Sequence, residues 1–342
     1  MDKIYRIGSF NLRNIGKSAF TNSRDLEKIA YIIKEFDVIA LQEVLSEGKV
    51  FTEDDLPSRI VKKNILNYLP GGAEHWGFSW AYSGDESNRH EGYAFVWNKD
   101  RLDMPEVDVT KNGKTYKRSF YPRMINMNHD DMDRKPYYGR FSAQGKVGGS
   151  NFEIRLICVH THFGKDLSEN RAKRQKELDI LLQDVYPQIE DRVYKGGLTN
   201  YTILLGDYNA EIVIDKNRIG HEELNAYRRA NNIQIPMVMT TDEHGEVYSD
   251  RYKKSIKTVQ YELTTLKKKI NDTTGEEEFA DRGYASSYDH FSFDESRLKD
   301  VLHKQARRVD VVNDDKTFNG DFEAYYNTVS DHIPIAIELK IN

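Results

Sequence analysis

Several short runs along this chain are apolar at nearly every position, and the segments between them return to apolar residues every three or four positions. The runs are "IYRIGSF", "DVIALQEV", "GYAFVWN", "EIRLICVHTH", "YTILLGDYN", "YDHFSF" and "IPIAIEL". Rich in β-branched and aromatic residues and bounded by polar turns, they predict buried strands. "NSRDLEKIAYIIKEF" instead sets Leu26, Ile29, Ile33 and Phe36 at helical spacing behind an Asn22 or Ser23 cap. "SENRAKRQKELDILLQDVY" repeats the device, with Ser168 as cap and Leu178, Leu181, Leu182 and Val185 as the apolar stripe.

Strands this uniformly apolar have no wet face, so each sheet must be covered on both sides. The pattern predicts an α/β (α+β) fold of four layers, an α/β/β/α sandwich with two sheets face to face and helices outside. Residues 1–342 read as one domain. A charge-rich insertion at about 241–281 is expected to be a hairpin or loop excursion. The hydrophilic stretch from Tyr121 to Arg134 is expected to be a long loop.

Composition narrows the partners. Of 342 residues, 38% are hydrophobic, 31% charged and 11% aromatic, enough apolar material for a core and too much for disorder. A net charge of −5 supplies no global attraction to nucleic acid or an anionic membrane, although a local basic groove is compatible with it. The lone cysteine, Cys158, lies in an apolar run and is expected to behave as a small buried hydrophobe. The N-terminus runs into a strand with no apolar leader, and no segment approaches the roughly 20 apolar residues of a membrane span. These features predict a monomer with a cytoplasmic location by default, or a secreted one if a leader had been removed.

Polar residues cluster at the ends of the apolar runs. Asn11 and Arg13 follow "GSF", Glu43 interrupts "ALQEV", and Glu91 precedes "GYAFVWN". His160 and His162 close "CVHTH", and "GDYNA" carries Asp207 and Asn209. Tyr288 and Asp289 open "YDHF", while Asp331 and His332 precede "IPIAI". Any one of these has a bland reading: Gly-Asp-x-Asn is a turn signal, and a single strand histidine is usually structural. Together they place carboxylates, carboxamides and histidines where a sandwich can gather them in one cleft. The inventory suits phosphoester hydrolysis assisted by a hard cation, Mg²⁺ or Mn²⁺. Histidine–acid pairs move protons in such chemistry, and arginine and asparagine hold phosphate oxygens. No cysteine cluster favours zinc, and no glycine-rich Walker loop is present.

Set in order, "SFNLRNIG", "FDVIALQEV", "EGYAFVWNKDRL", "DRKPYYGRF", "THF", "GDYNA", "YDHF" and "SDHIPIAI" resemble the endonuclease/exonuclease/phosphatase superfamily, and within it the deoxyribonuclease I-like group. The resemblance implies a deoxyribonuclease I-like fold and a divalent-metal-dependent endonuclease acting on DNA. It implies Mg²⁺ or Mn²⁺ as cofactor and leaves room for Ca²⁺ as a structural ion. Glu43 would be the principal metal ligand with Asn11, joined by Asp207 and Asp331. Asp207 and Asn209 would orient the phosphate or the attacking water. His162 with Glu91 and His332 with Asp289 would be the two proton-transfer pairs. Asn11, Arg13, Arg134, Tyr288 and Asn209 would hold phosphate. His160, two residues before His162, is read as structural.

The chain also departs from that group. Leu45 stands where the nuclease has a minor-groove arginine, and Asn88, Arg89 and His90 replace a tyrosine-lysine pair, which weighs on duplex DNA as substrate. His290 replaces an arginine. Alternatives are a phosphatase or phospholipase acting on inositol phosphates or sphingomyelin, and a catalytically silent binding module. The charged 241–281 insertion is unlike the apolar hairpin expected of a lipid-acting enzyme, and the complete polar set argues against a decayed site.

Overall fold

The computed structural model describes residues 3–16, 24–45, 56–83, 91–111, 113–126, 132–146, 151–164, 168–194, 197–213, 238–240, 246–249, 254–259, 262–271, 273–313 and 316–342. In chain order its strands begin with β1 (Lys3–Ile15), β2 (Val38–Leu45), β3 (Trp76–Tyr82), β4 (Glu91–Asn98), β5 (Glu106–Lys111), β6 (Lys114–Ser119), β7 (Arg123–Met124), β8 (Tyr137–Ser142), β9 (Phe152–His160) and β10 (Thr199–Asp207). They continue with β11 (Glu211–Val213), β12 (Val238–Thr240), β13 (Glu246–Ser249), β14 (Lys254–Val259), β15 (Leu266–Ile270), β16 (Glu277–Tyr284), β17 (Asp289–Asp294), β18 (Leu302–Arg308) and β19 (Ile335–Ile341). One sheet has the order β18-β19-β1-β2-β4-β3 and the other β13-β14-β17-β10-β9-β8-β7.

Alternation along single strands explains the layering, because successive side chains point to opposite faces. In β2, Val38 and Ala40 join a core with Tyr137, Leu156 and Leu204 of the second sheet. Ile39 and Leu41 turn the other way, onto Ile29, Ile33 and Ile65 of the helices Leu26–Ile33 and Leu56–Tyr68. Aromatic contacts stitch the sheets together, with Phe95 stacked 4.9 Å from Tyr137 and Tyr5 edge-on to Phe152 at 5.1 Å. Leu178, Leu181 and Leu182 cover the far face of the second sheet. Each such side chain contributes about 1.5–3 kcal/mol relative to exposure. The α/β/β/α sandwich is therefore the fold, and all seven predicted strands lie within it.

Local details differ from expectation. Asp25 caps the first helix, its carboxylate accepting from Lys28 N, and the helix ends at Ile33 before Phe36. Asn22 and Ser23 lie outside the described residues. Ser168 is already the first residue of the helix Ser168–Ile180, which continues as a π turn over Leu181–Val185. The charged insertion is only partly an excursion. β15 and β16 form the expected hairpin, but β14 pairs with β17 inside the second sheet and buries Ile256. Within Tyr121–Arg134 a short strand, β7, pairs with β8.

Gly206 shows how closely the second sheet is built. Its φ is +148°, and a Cβ there would sit 1.9 Å from the Val159 carbonyl oxygen of β9, so only glycine fits before Asp207. The C-terminal ends of β1, β2, β9 and β10 and the N-terminal ends of β4 and β17 meet at one edge of the sandwich. The registers fix this: Asp207 is level with His160 and Asp289, and Glu91 with Leu45.

Candidate active site

Asp207, at the end of β10 and 1% exposed, is the centre of the polar cluster. Its Oδ1 accepts from Asn209 N at 2.8 Å, and its Oδ2 accepts from Asn11 Nδ2 at 3.0 Å. Two imidazoles approach the same Oδ2, His332 Nε2 at 3.6 Å and His160 Nε2 at 3.7 Å. Behind each ring stands a second buried carboxylate. His332 Nδ1 lies 2.8 Å from Asp289 Oδ2, and His160 Nδ1 lies 2.5 Å from Glu91 Oε1.

This arrangement sets the charge states. Burial works against protonation of both histidines, yet the carboxylates on either side outweigh it. His332 is raised well above the usual histidine range, chiefly by Asp289 and Asp207, and His160 is raised by Glu91 and Asp207. Burial would likewise raise Asp207 and Glu91, but the histidines hold both below the usual carboxylate range. Asp289 is raised because burial outweighs His332. Thr264 Oγ1 accepts from the backbone N–H of Tyr288 and of Asp289, so a residue of the insertion helps to place the pair.

On the other side of Asn11 stands Glu43. Asn11 Nδ2 donates to Glu43 Oε1 at 3.0 Å as well as to Asp207, and Asn14 N donates to Glu43 Oε2 at 2.8 Å. Burial raises the Glu43 carboxyl. Glu43 has φ +56° at a break in the β2–β4 register, and Arg13, Asn14 and Asn209 also have positive φ. Bulges re-aim side chains, and such strain collects at functional sites.

Two observations bear on a metal. The Asn11 amide is wedged between two carboxylates, where positive charge is wanted. Asp207, Asp289 and His332 are all buried and offer ligand atoms within 4.8 Å of one another. Carboxylates with an imidazole are donors that divalent cations accept, so the residues fit such an ion.

The predicted residues divide. Asn11, Glu43, Glu91, Asp207, Asp289 and His332 come together. His162 does not pair with Glu91; that place belongs to His160, contrary to the expectation of a structural role. The reason is where the strand stops. β9 ends at His160, Thr161 N turns in to Asp207 O, and His162 leaves the sheet to meet Asp133 through Nδ1 and Asn170 Oδ1 at 2.8 Å through Nε2. Spacing cannot reveal where a strand ends to within two residues. Arg134 does arrive, with NH2 3.0 Å from Glu91 Oε2 and NH1 donating to Thr161 O.

Asp331 turns to Arg13 Nε at 3.4 Å instead of joining the cluster around Asp207. Arg13 stacks on Tyr326 at 3.9 Å and gives its terminal nitrogens to that residue's carbonyl and hydroxyl, so it is committed to the protein and not held out to phosphate. β10 ends at Asp207, so Asn209 lies beyond the strand. The bland turn reading holds there, and Asn209 Nδ2 donates to Thr161 O at 3.1 Å. Tyr288 is half-buried beside the cluster, its hydroxyl pushed up to about 12 by burial. His290, inside the core, bonds the Ala210 carbonyl at 2.9 Å. Asn88, Arg89 and His90 lie outside the described residues.

No known family's sequence pattern matches the chain, and no curated protein is similar in sequence. Solved structures resemble it over its length. An endonuclease/exonuclease/phosphatase family protein from Bacteroides thetaiotaomicron covers 100% of this chain and 99% of its own at 15% identity, with a TM-score of 0.45. Truncated Caenorhabditis elegans TDP2 covers 98% and 97% at 14% identity and a TM-score of 0.49. D. rerio TDP2, solved with a single-strand DNA product, covers 99% of each at 14% and 0.49. No helix among the described residues is long and apolar enough to cross a membrane.

Proposed function

We propose that this protein is a divalent-metal-dependent phosphodiesterase, working as a deoxyribonuclease I-like endonuclease on DNA. The observation that carries the reading is the pair of imidazoles on Asp207 Oδ2, each backed by its own buried carboxylate. A hydrolase that must take a proton from water and give one to a leaving oxygen needs two such groups facing one reaction centre.

In this scheme a water oxygen bonds to phosphorus as the ester P–O bond breaks. One histidine accepts the water proton and the other donates to the departing oxygen. Asp289 and Glu91 hold the rings in place and stabilise their charged forms. Arg134, bonded to Glu91 Oε2 and to the Thr161 carbonyl, holds Glu91 behind its histidine, and Asn209 fixes the Thr161 turn beneath it. A divalent cation, Mg²⁺ or Mn²⁺, held by Glu43 and Asp207 next to Asn11, would neutralise charge on the phosphate oxygens.

The test is nicking of supercoiled plasmid by purified protein with Mg²⁺ or Mn²⁺, run beside linear duplex, single strands, RNA, abasic duplex and phosphoinositides. Nicking abolished by EDTA and by Asp207→Ala is the expected result. Intact plasmid across several divalent metals sinks the nuclease reading. Turnover confined to phosphoinositides would move the protein to the phosphatase branch.

A further inference from the structure

Glu177 is 0% exposed, lies on the helix Ser168–Ile180, and takes no part in the chemistry above. A buried carboxylate needs strong hydrogen bonds to offset its lost hydration. Among the described residues, its two hydrogen-bond partners are backbone N–H groups from other segments. Oε1 accepts from Asp133 N at 2.8 Å and Oε2 accepts from His162 N at 2.6 Å. Burial pushes the carboxyl up, and these two donors oppose that push.

Both donors lie beyond the strand ladders, in the two turns that deliver active-site groups. Asp133 immediately precedes Arg134, whose guanidinium bonds Glu91 Oε2 and the Thr161 carbonyl. His162 ends the turn that starts at His160, the partner of Glu91 Oε1. One carboxylate therefore ties together the turns carrying the two residues that grip opposite oxygens of Glu91. The same turns are linked again at the surface, where His162 Nδ1 and Lys173 Nζ both meet Asp133.

We propose that Glu177 is a positioning residue of this site, a bidentate backbone clamp that sets the relative placement of Arg134 and His160 around Glu91. Only the activity arm of its test depends on the hydrolase reading. Glutamine at this position presents one donor where two acceptors are required, so Glu177→Gln opens one side of the clamp while nearly keeping volume.

In plasmid nicking, Glu177→Gln should lower kcat about ten- to a hundredfold, the scale of a misplaced catalytic group. Arg134→Ala/Glu177→Gln should lose less than the product of the two single losses, because part of the clamp acts through Arg134. In the metal-free protein at fixed pH, the carbon-13 imidazole resonance of His160 should move in Glu177→Gln and stay in place in Glu169→Gln, an exposed change on the same helix. A double variant that loses the product of the two single losses overturns the proposal. So does a His160 resonance in Glu177→Gln that overlays the wild type. If the wild-type protein cleaves nothing, the functional reading fails and the His160 resonance still decides the clamp. If Glu177→Gln does not fold, Glu177→Asp, too short to span both donors, is read in the same way and should move His160 likewise.

Discussion

The two ends of the sandwich both bury charge, and they do so in opposite ways. At the N-terminal end of β9, Arg140 and Arg155 close on Glu153. Arg140 Nε donates to Oε2 at 2.8 Å, Arg155 Nε donates to Oε1 at 2.6 Å, and Arg155 NH1 donates to the carbonyls of Ile189 and Glu190. Arg140 NH1 has no hydrogen-bond partner among the described residues, but the guanidinium lies 3.5 Å over the Tyr194 ring. Apart from that one nitrogen, protein groups answer the charges. At the other end of the same strand, Glu43, Glu91, Asp207 and Asp289 gather beside Arg134, which pairs with Glu91. The balance there depends on two histidines that can gain or lose a proton. A cluster whose charges are closed by the protein holds a fold together; one left open to protons and cations is equipped for chemistry.

The largest effect that would break this contrast is at the open end. Asp207→Ala, or EDTA on the wild type, should lower plasmid nicking about a thousandfold or more, the upper range for a preorganised charged group. Retained activity in Asp207→Ala would mean that the cluster is not the reaction centre. Next come the histidines. His332→Ala and His160→Ala should each cost about a hundred- to ten-thousandfold in kcat, as expected for lost acid–base groups. His162→Ala, which leaves both Asp207 contacts in place, should cost less than His160→Ala. A reversed order of the two neighbours would return the pair to His162.

The closed end should answer in stability. Glu153→Ala leaves two guanidinium groups buried without their carboxylate and should cost about 3–5 kcal/mol in chemical denaturation. Activity per folded molecule should change little, and a fall in kcat larger than the fall in folded fraction would join the two ends functionally. The smallest effect is on pH. In the metal-free protein His332 and His160 titrate above their unfolded value. Their stabilising contribution is then complete below about pH 6.5 and is lost as pH rises through the raised values. Denaturation midpoints from pH 6 to 9 should fall in the wild type and in Glu153→Ala, and fall less steeply in His332→Ala.

How much of this could be read in advance varies with the kind of question. "DVIALQEV" and "EIRLICVHTH" announce strands covered on both faces, because wholly apolar runs admit few other burials. β3 and β18 give no such signal, since half-exposed strands such as "LHKQARR" share their pattern with loops, and the buried β8, "YYGRFS", gives none because Gly139 and Arg140 interrupt it. Glu43 and Asp207 stood out as carboxylates in or beside apolar runs. The resemblance assigns Glu91 to His162, and spacing cannot correct it, since both histidines sit at strand spacing and only the turn at Thr161 separates them. Arg13 and Asp331 are neighbours in the chain of Asn11 and His332. Their side chains were claimed by Tyr326 and by each other, a competition that no local pattern encodes.

The sequence by itself determined the layers, the seven core strands and the stock of carboxylates, amides and histidines at their ends. Each follows from local periodicity and from the cost of burying polar groups. Tertiary structure alone decided which imidazole meets Glu91, which carboxylates share Asn11, and that Glu177 on a covering helix reaches back to clamp two turns. Those pairings join residues 15 to 196 positions apart. They depend on where a strand stops and how two sheets register, and hydrogen-bond geometry changes completely over the few ångströms that such details control.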